Sequence, residues 1–336
     1  MSRLRALAVL ALIAALSVVL AACGGGSSDK SGESPQSVLD DATLQGIESA
    51  DIDLSATVSS PGAEGGTVTI GLSGPFQGEG LGELPQLALT AKAKGNYNGR
   101  KIDFDGGLTL LPNTAYINYE GVEYEVDPTT FSFVEQTLKQ GQGESNAYVA
   151  ACEEEFGKLE VGDFLEGGKN EGSAEVGGAE TTKVSGDLDV SGAIDALLKV
   201  VESPVCQNQL AAVGPLPSKS EIEDAEGEIE SSVKSAHVDV HVGNDDDIVR
   251  EVAGQVEVEP QNGGSGPKSV AVKFDLKLTG VNEEQKISEP ANAKPLSRLF
   301  IKLGINPIEL LGLLQGESGG KGLGDLLESL GSSAAR

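Results

Sequence analysis

Apolar and polar residues alternate along this chain in repeated short runs, and that pattern constrains the fold more than any other feature. Thr67–Gly74 sets Val68, Ile70 and Leu72 on one side, and Gln86–Lys94 sets Leu87, Leu89, Ala91 and Ala93 against Ala88, Thr90, Lys92 and Lys94. His237–Val242 alternates Val238, Val240 and Val242 with His237, Asp239 and His241. Lys268–Leu278 alternates Val270, Val272, Phe274, Leu276 and Leu278 with Ala271, Lys273, Asp275 and Lys277. A period of two belongs to an extended strand and gives each strand one apolar face. Further strands are predicted at Lys101–Leu111, Ala115–Tyr119, Val122–Val126 and Ile248–Glu259. Short turns such as Pro112-Asn113 and Glu120-Gly121 join several of them, which predicts an antiparallel meander.

Between the two groups of strands, from Asp127 to about Leu210, the pattern is helical and irregular, broken by a strand or hairpin at Glu175–Asp187. Upstream of the sheet, Ser34-Pro35 is a helix start, with Ser34 as cap and Pro35 in the first turn. That helix is expected to run to about Ser49 and to bury Val38, Leu39, Ala42 and Ile47. Ser220–Val233 reads as an acidic, weakly amphipathic helix, and Gln261–Pro267 as a Gly-rich loop. Sheet on both sides of a helical middle predicts a single α+β domain over residues 34–303. The tail, 304–336, holds Ile305, Ile308, Leu310, Leu311, Leu313, Leu314, Leu323, Leu326, Leu327 and Leu330 around a Gly-rich break. It reads equally as two short amphipathic helices or as a loosely ordered, disordered segment.

The amino terminus has a basic start, Arg3 and Arg5, then an apolar run from Ala6 to Ala22 with Ser17 as its one polar residue. That layout is a secretory signal, and the run falls below the roughly 20 residues of a typical membrane span. Leu20-Ala21-Ala22-Cys23 is similar to the lipobox of bacterial lipoproteins. The similarity implies that residues 1–22 are a cleaved signal peptide and that Cys23 carries lipid on its sulfur. The protein would then be lipid-anchored on the outer face of the bacterial cell membrane. Residues 23–33 follow as a tether, whose Gly24–Gly32 stretch GGGSSDKSG is that of a flexible coil. One acyl chain binds a bilayer reversibly, whereas two or three hold it firmly.

The chain has 24 basic and 52 acidic residues, a formal net charge of −28. Loss of Arg3 and Arg5 with the signal makes the mature chain more negative still. Such a surface repels nucleic acid and anionic headgroups. Of the 3 cysteines, lipidation of Cys23 leaves Cys152 and Cys206, and outside the cytoplasm a disulfide between them is expected. Closing a loop of roughly fifty residues stabilises by about 4 kcal/mol.

Catalytic and metal chemistry find little support. His237, Asp239 and His241 share a strand face, with Asp245, Asp246 and Asp247 in the following turn. Alternate residues on a strand stand nearly 7 Å apart, wide for two ligands of one ion, so a solvated face with an Asx-rich turn is expected and no metal or other cofactor is assigned. With 2 histidines in the whole chain, few bases are available for a catalytic triad. No Gly-x-Ser-x-Gly elbow is present, and Gly320-Lys321-Gly322 lacks the spacing of a phosphate loop. The chain is read as a non-enzyme.

Three segments carry a wider resemblance: Gly177–Val190 (GGAETTKVSGDLDV), His237–Arg250 (HVDVHVGNDDDIVR) and Lys286–Pro295 (KISEPANAKP). With the lipobox and the order of elements, they make residues 34–300 resemble the LolA/LolB-like lipoprotein-carrier superfamily, and within it the actinobacterial lipoproteins of the LppX/LprG type. The resemblance implies a strongly curved antiparallel sheet, a half-barrel, with helices across its concave face and an apolar cavity between. It also implies binding of an acyl lipid or glycolipid for carriage in the cell envelope, or chaperoning of lipoproteins. The residues expected to line the cavity are Val68, Ile70, Leu72, Leu87, Leu89, Ile102, Phe104, Val238, Val240, Val270, Val272, Phe274 and Leu276. The alternative on the same fold is an envelope sensor or scaffold that binds proteins through its surface. The strong negative charge, the Cys152–Cys206 insertion and the Leu/Gly tail depart from the pattern.

Overall fold

The computed structural model describes residues 30–61, 65–78, 84–97, 99–132, 135–136, 164–201, 203, 206, 232–259 and 269–304. A 3-10 turn, Lys30–Gly32, leads into helix α1, Pro35–Asp41, where the Ser34 hydroxyl accepts the Ser37 N–H and Pro35 occupies the first turn. Six strands follow: β1 Ser49–Ser60, β2 Gly66–Gln77, β3 Gln86–Tyr97, β4 Arg100–Leu111, β5 Thr114–Tyr119 and β6 Val122–Glu125. After the middle of the chain come β7 Leu165–Val176, β8 Ala179–Leu188, α2 Val190–Val201, β9 Val233–Gly243, β10 Val249–Val258 and β11 Val270–Thr279. The two-residue strand β12, Lys294–Pro295, and helix α3, Leu296–Leu303, close the described chain.

All 12 strands form one sheet in the order β12-β6-β5-β4-β3-β2-β1-β11-β10-β9-β8-β7. Two sequential meanders, β1 to β6 and β7 to β11, meet where β1 pairs with β11. The sheet is curved and open, with unjoined edges at β12 and β7. Every long pairing is antiparallel, and only the short β12–β6 contact is parallel. At the central seam Ile52, Leu54, Ala56 and Val58 face Leu278, Leu276, Phe274 and Val272, while Asp53 and Thr57 face Lys277 and Lys273 on the other side. Cross-strand pairs of these kinds contribute roughly 0.2–1 kcal/mol each.

Among the described residues, two buried clusters pack helices against the apolar side, one toward each end of the sheet. Near the β7 edge, Val38, Leu39 and Ala42 at α1 bury against Val184, Val238, Val240, Val242, Val249 and Val252. Near the β6 edge, Leu296 and Leu299 of α3 bury against Ala115, Tyr124, Val126 and Phe131. Gly304 stops α3 with φ +68, a left-handed conformation that glycine adopts without steric cost.

Several expectations are corrected here. The first helix ends at Asp41 rather than near Ser49, because Thr43 leaves the helix to pair with the distant β10 start. Its N–H donates to the Asp247 carbonyl, and its own carbonyl accepts from the Val249 N–H. Residues 42–48 form that bridge and a turn in place of the helix end, and β1 starts at Ser49. The segment Glu175–Asp187 is the end of β7 and most of β8, joined by the turn at Gly177-Gly178, so strand extends back to Leu165. Lys30–Gly32, inside the expected tether, are structured, since the Lys30 side chain is buried and paired with Asp247. Val233 begins β9, so the expected helix at Ser220–Val233 does not reach it. The rest of that helix, the Gln261–Pro267 loop, the signal peptide, Cys23, Cys152 and residues 305–336 lie outside the described residues.

Candidate functional site

Register determines which side chains share a face. Antiparallel partners point the same way, so Val68, Ile70 and Leu72 on β2 line up with Gly95, Ala93 and Ala91 on β3. Those in turn meet Ile102, Phe104 and Gly106 on β4. Leu87 and Leu89 on β3 meet Leu110 and Leu108 on β4. The small residues Ala91, Ala93 and Gly95 make a low floor along β3, and larger side chains on β2 and β4 rise on either side. Phe104 lies along its own strand over Gly106, where an added Cβ would stand 2.7 Å from the ring Cζ. A side chain at Gly106 would therefore push the ring away and roughen the trough.

This middle portion of the apolar face is open. Ile70 is 49%, Phe104 44%, Leu108 42% and Tyr97 41% exposed, and all four lie on the β2–β4 part of one face. Among the described residues the one other large hydrophobic side chain so exposed is Ile301, on α3. Soluble chains rarely leave contiguous apolar surface bare without a use for it.

All thirteen residues expected to line a cavity fall on this same face, yet their surroundings differ. Val68, Leu72, Leu87, Leu89 and Ile102 are half-buried and, with exposed Ile70 and Phe104, belong to the open trough. Val270, Phe274 and Leu276 on β11 are half-buried at the seam, and Val272 is buried there. Val238 and Val240 are buried within the cluster that α1 covers, a packed core rather than open surface. Sequence reasoning missed Tyr97 and Leu108, both in phase with residues it named, and Leu54 and Ala56 on β1. The alternation Ile52, Leu54, Ala56, Val58 was a usable signal for β1.

The opposite face is polar and charged. Lys183, His241, Glu251, Lys277 and Asp53 form one cross-strand row over five strands. Lys277 pairs with Glu251 at 3.4 Å, and Lys183 reaches across to Asp239 at 3.2 Å. His237 Nδ1 stands 3.0 Å from an Asp187 carboxylate oxygen. A depression of about 420 Å³ lies beside it, bordered by Thr57, His237, Asp239, Lys273 and Asp275. Burial pushes the His241 imidazole below its ordinary range, against the pull of Glu251. Burial, then the Glu251 charge, push the Asp275 carboxyl above its ordinary range. Among the described residues no three His, Cys, Asp or Glu side chains gather closely enough to hold a metal ion. Asp246, in the Asx-rich turn, is bound instead to Arg250.

Cys206 is fully buried next to the end of α2. Among the described residues no helix is long and apolar enough to cross a membrane.

No family model and no curated protein matches the chain. Solved structures do. LprF from Mycobacterium bovis is 12% identical with a TM-score of 0.35, over 80% of this chain and 100% of that one. The lipoprotein LppX of Mycobacterium tuberculosis is 9% identical with a TM-score of 0.28, over 73% of this chain and 92% of that one. A DUF1329 family protein from Desulfovibrio piger is 8% identical with a TM-score of 0.17, over 75% and 94%.

Proposed function

We propose that this chain is an exported lipoprotein, anchored through lipid on Cys23, that holds the acyl part of a lipid or glycolipid against the β2–β4 trough and carries it in the cell envelope. It performs no reaction on its cargo. The observation that carries this reading is the bare apolar trough itself: exposed Ile70, Phe104, Leu108 and Tyr97 around a floor of Ala91, Ala93 and Gly95. Fully burying a sixteen-carbon chain is worth on the order of 12 kcal/mol. A carrier therefore needs apolar surface and few polar contacts, which is what this face offers. A polar headgroup would remain at the trough's end, in water.

The lipid anchor belongs to the same reading. Cys23 stands seven positions before Lys30, where the described chain begins, so at about 3.3–3.6 Å per extended residue the domain remains within roughly 25 Å of the bilayer. Such a short leash favours direct exchange of lipid with that membrane. Native mass spectrometry of the chain produced from Cys23 onward tests the cargo: a bound mass that organic extraction removes is expected. A protein of bare polypeptide mass after gentle purification from a lipid-rich lysate would refute it. For the anchor, Cys23→Ala is expected to move the exported protein out of the detergent phase, and unchanged partitioning would count against it.

A further inference from the structure

We infer that Arg100, with Tyr97 beside it, forms a headgroup site at one end of the β2–β4 trough, and that the cargo is an anionic acyl lipid whose head is a carboxylate or a phosphodiester. The inference rests on the lipid reading and names the class of lipid. Register carries it. On the apolar face of β1–β5, the strands β1, β2, β3 and β5 present only apolar, small or hydroxyl-bearing residues. On β4 the same face reads Arg100, Ile102, Phe104, Gly106, Leu108 and Leu110, so Arg100 is its one charged position. Arg100 pairs with Tyr97 across the β3–β4 turn, where Gly99 takes φ +72, and Gly66 lies on the other side of Tyr97 with no side chain. The low floor of Ala91, Ala93 and Gly95 thus runs out beside exposed Tyr97 and ends at a positive charge.

The charge also lacks a partner of its own. On the opposite face of the same two strands, Lys92 stands 3.9 Å from Asp105 and Lys101 2.7 Å from Asp103. Arg100 forms no ion pair among the described residues, although the chain has 52 acidic residues to 24 basic ones. A guanidinium presents N–H donors in a planar fork that matches a carboxylate or phosphate with two parallel bonds, and a tyrosine O–H supplies a further donor. Directly paired positions on neighbouring strands stand about 5.5 Å apart or less, so one head can meet both side chains. The acyl chain then lies along the floor of β3, from Gly95 toward Leu87, where the face is without charge. A neutral glyceride would need the apolar surface alone and would leave the guanidinium without a function.

Two fluorescent probes that differ only at the head test this: cis-parinaric acid, ionised at about pH 8, and its neutral methyl ester. Each is titrated into the delipidated chain produced from Cys23 onward and into its Arg100→Gln variant. The wild type is expected to bind the acid roughly tenfold more tightly than the ester. In Arg100→Gln the two should bind within about twofold of each other, with the ester affinity unchanged, since Arg100 is exposed at a hairpin tip. A net charge of −28 repels anions in general, so a preference for the acid has to come from a local group. Native mass spectrometry after incubation with phosphatidylglycerol or phosphatidylcholine vesicles extends the comparison to phospholipid. Uptake of the anionic lipid over the zwitterionic one, lost in Arg100→Gln, supports the site and assigns a phosphodiester head; an Arg100-dependent preference confined to parinaric acid supports it and assigns a carboxylate. Absence of any anion preference in the wild type, a preference that survives Arg100→Gln, or a variant that loses the ester together with the acid overturns the headgroup site while the trough reading stands. Failure of either protein to bind any probe or lipid overturns both.

Discussion

Lys30 and Asp247, 217 positions apart in the chain, form an ion pair whose side chains are 2% and 4% exposed. Asn170 adds to it, donating its amide to the backbone carbonyls of Lys30 and Glu33 at 2.8 and 3.0 Å. The chain therefore enters the fold at a fixed point against β7 and the β9–β10 turn. Lys30→Met should cost about 3–5 kcal/mol, because it strands a buried carboxylate. Adding Asp247→Asn should recover much of that loss, since Asn is neutral and tolerates the positive φ of +58 at this position. Urea denaturation of the three proteins measures it; a single-variant loss below about 1 kcal/mol would show the pair to be dispensable.

Asp275 predicts a stabilising substitution. Its carboxyl is raised above its ordinary value by burial first, then by Glu251 and Asp53, with Lys277 opposing. A raised acid favours folding while it is protonated, and that contribution is lost as pH rises through the folded value. Asp275→Asn should raise the melting temperature at pH 7, and the gain should vanish toward pH 3. Thermal melts across that range check it, and a loss of stability at pH 7 would contradict it.

His241 works in the opposite sense. Burial lowers its imidazole below 6.5, with Lys183 and Lys277 adding to the effect and Glu251 and Asp239 opposing it. The stability tied to the neutral ring is present above 6.5 and is lost as pH falls through the folded value. In His241→Gln the decline in melting temperature from pH 7 to pH 5 should be shallower than in the wild type. Parallel curves would show that the ring does not contribute to that decline.

The exported protein should hold Cys152 and Cys206 as a disulfide. Thiol labelling under denaturing conditions, before and after reduction, measures this. Two reactive thiols without reductant would contradict the pairing.

Much of the sheet was legible because one buried face forces strict alternation. Val238, Val240 and Val242 against His237, Asp239 and His241 leave no other periodicity to choose. The start of the sheet was less legible for a non-local reason: nothing near Ala42 announces that Thr43 will pair with Asp247 and Val249, so the helix signal at Ser34-Pro35 reads on through residues 42–48, which form that bridge and a turn ahead of β1. In β7, Gly167 and Gly172 take φ +62 and +89 at register shifts, and these bulges disrupt the alternation that would have marked the strand. The candidate site was half legible. Alternation assigned its residues to one face, but which of them lie open and which lie under α1 depends on helix placement that no strand sequence records.

The difference between Phe104 and Val240 leads to the decisive measurement. Both face the same side of the sheet, Phe104 44% exposed in the trough and Val240 3% exposed beneath α1. A carboxylate at Val240 must be buried without a partner, so Val240→Asp should cost several kcal/mol and unfold the domain. At Phe104 water can reach the charge, and Phe104→Asp should fold. Lipid retained per mole of folded protein, determined by native mass spectrometry on wild type and Phe104→Asp, is the quantity to compare. Loss of bound lipid from a variant with wild-type circular dichroism is the predicted result; a folded Phe104→Asp protein that keeps the same lipid at the same occupancy would contradict the trough as the binding site.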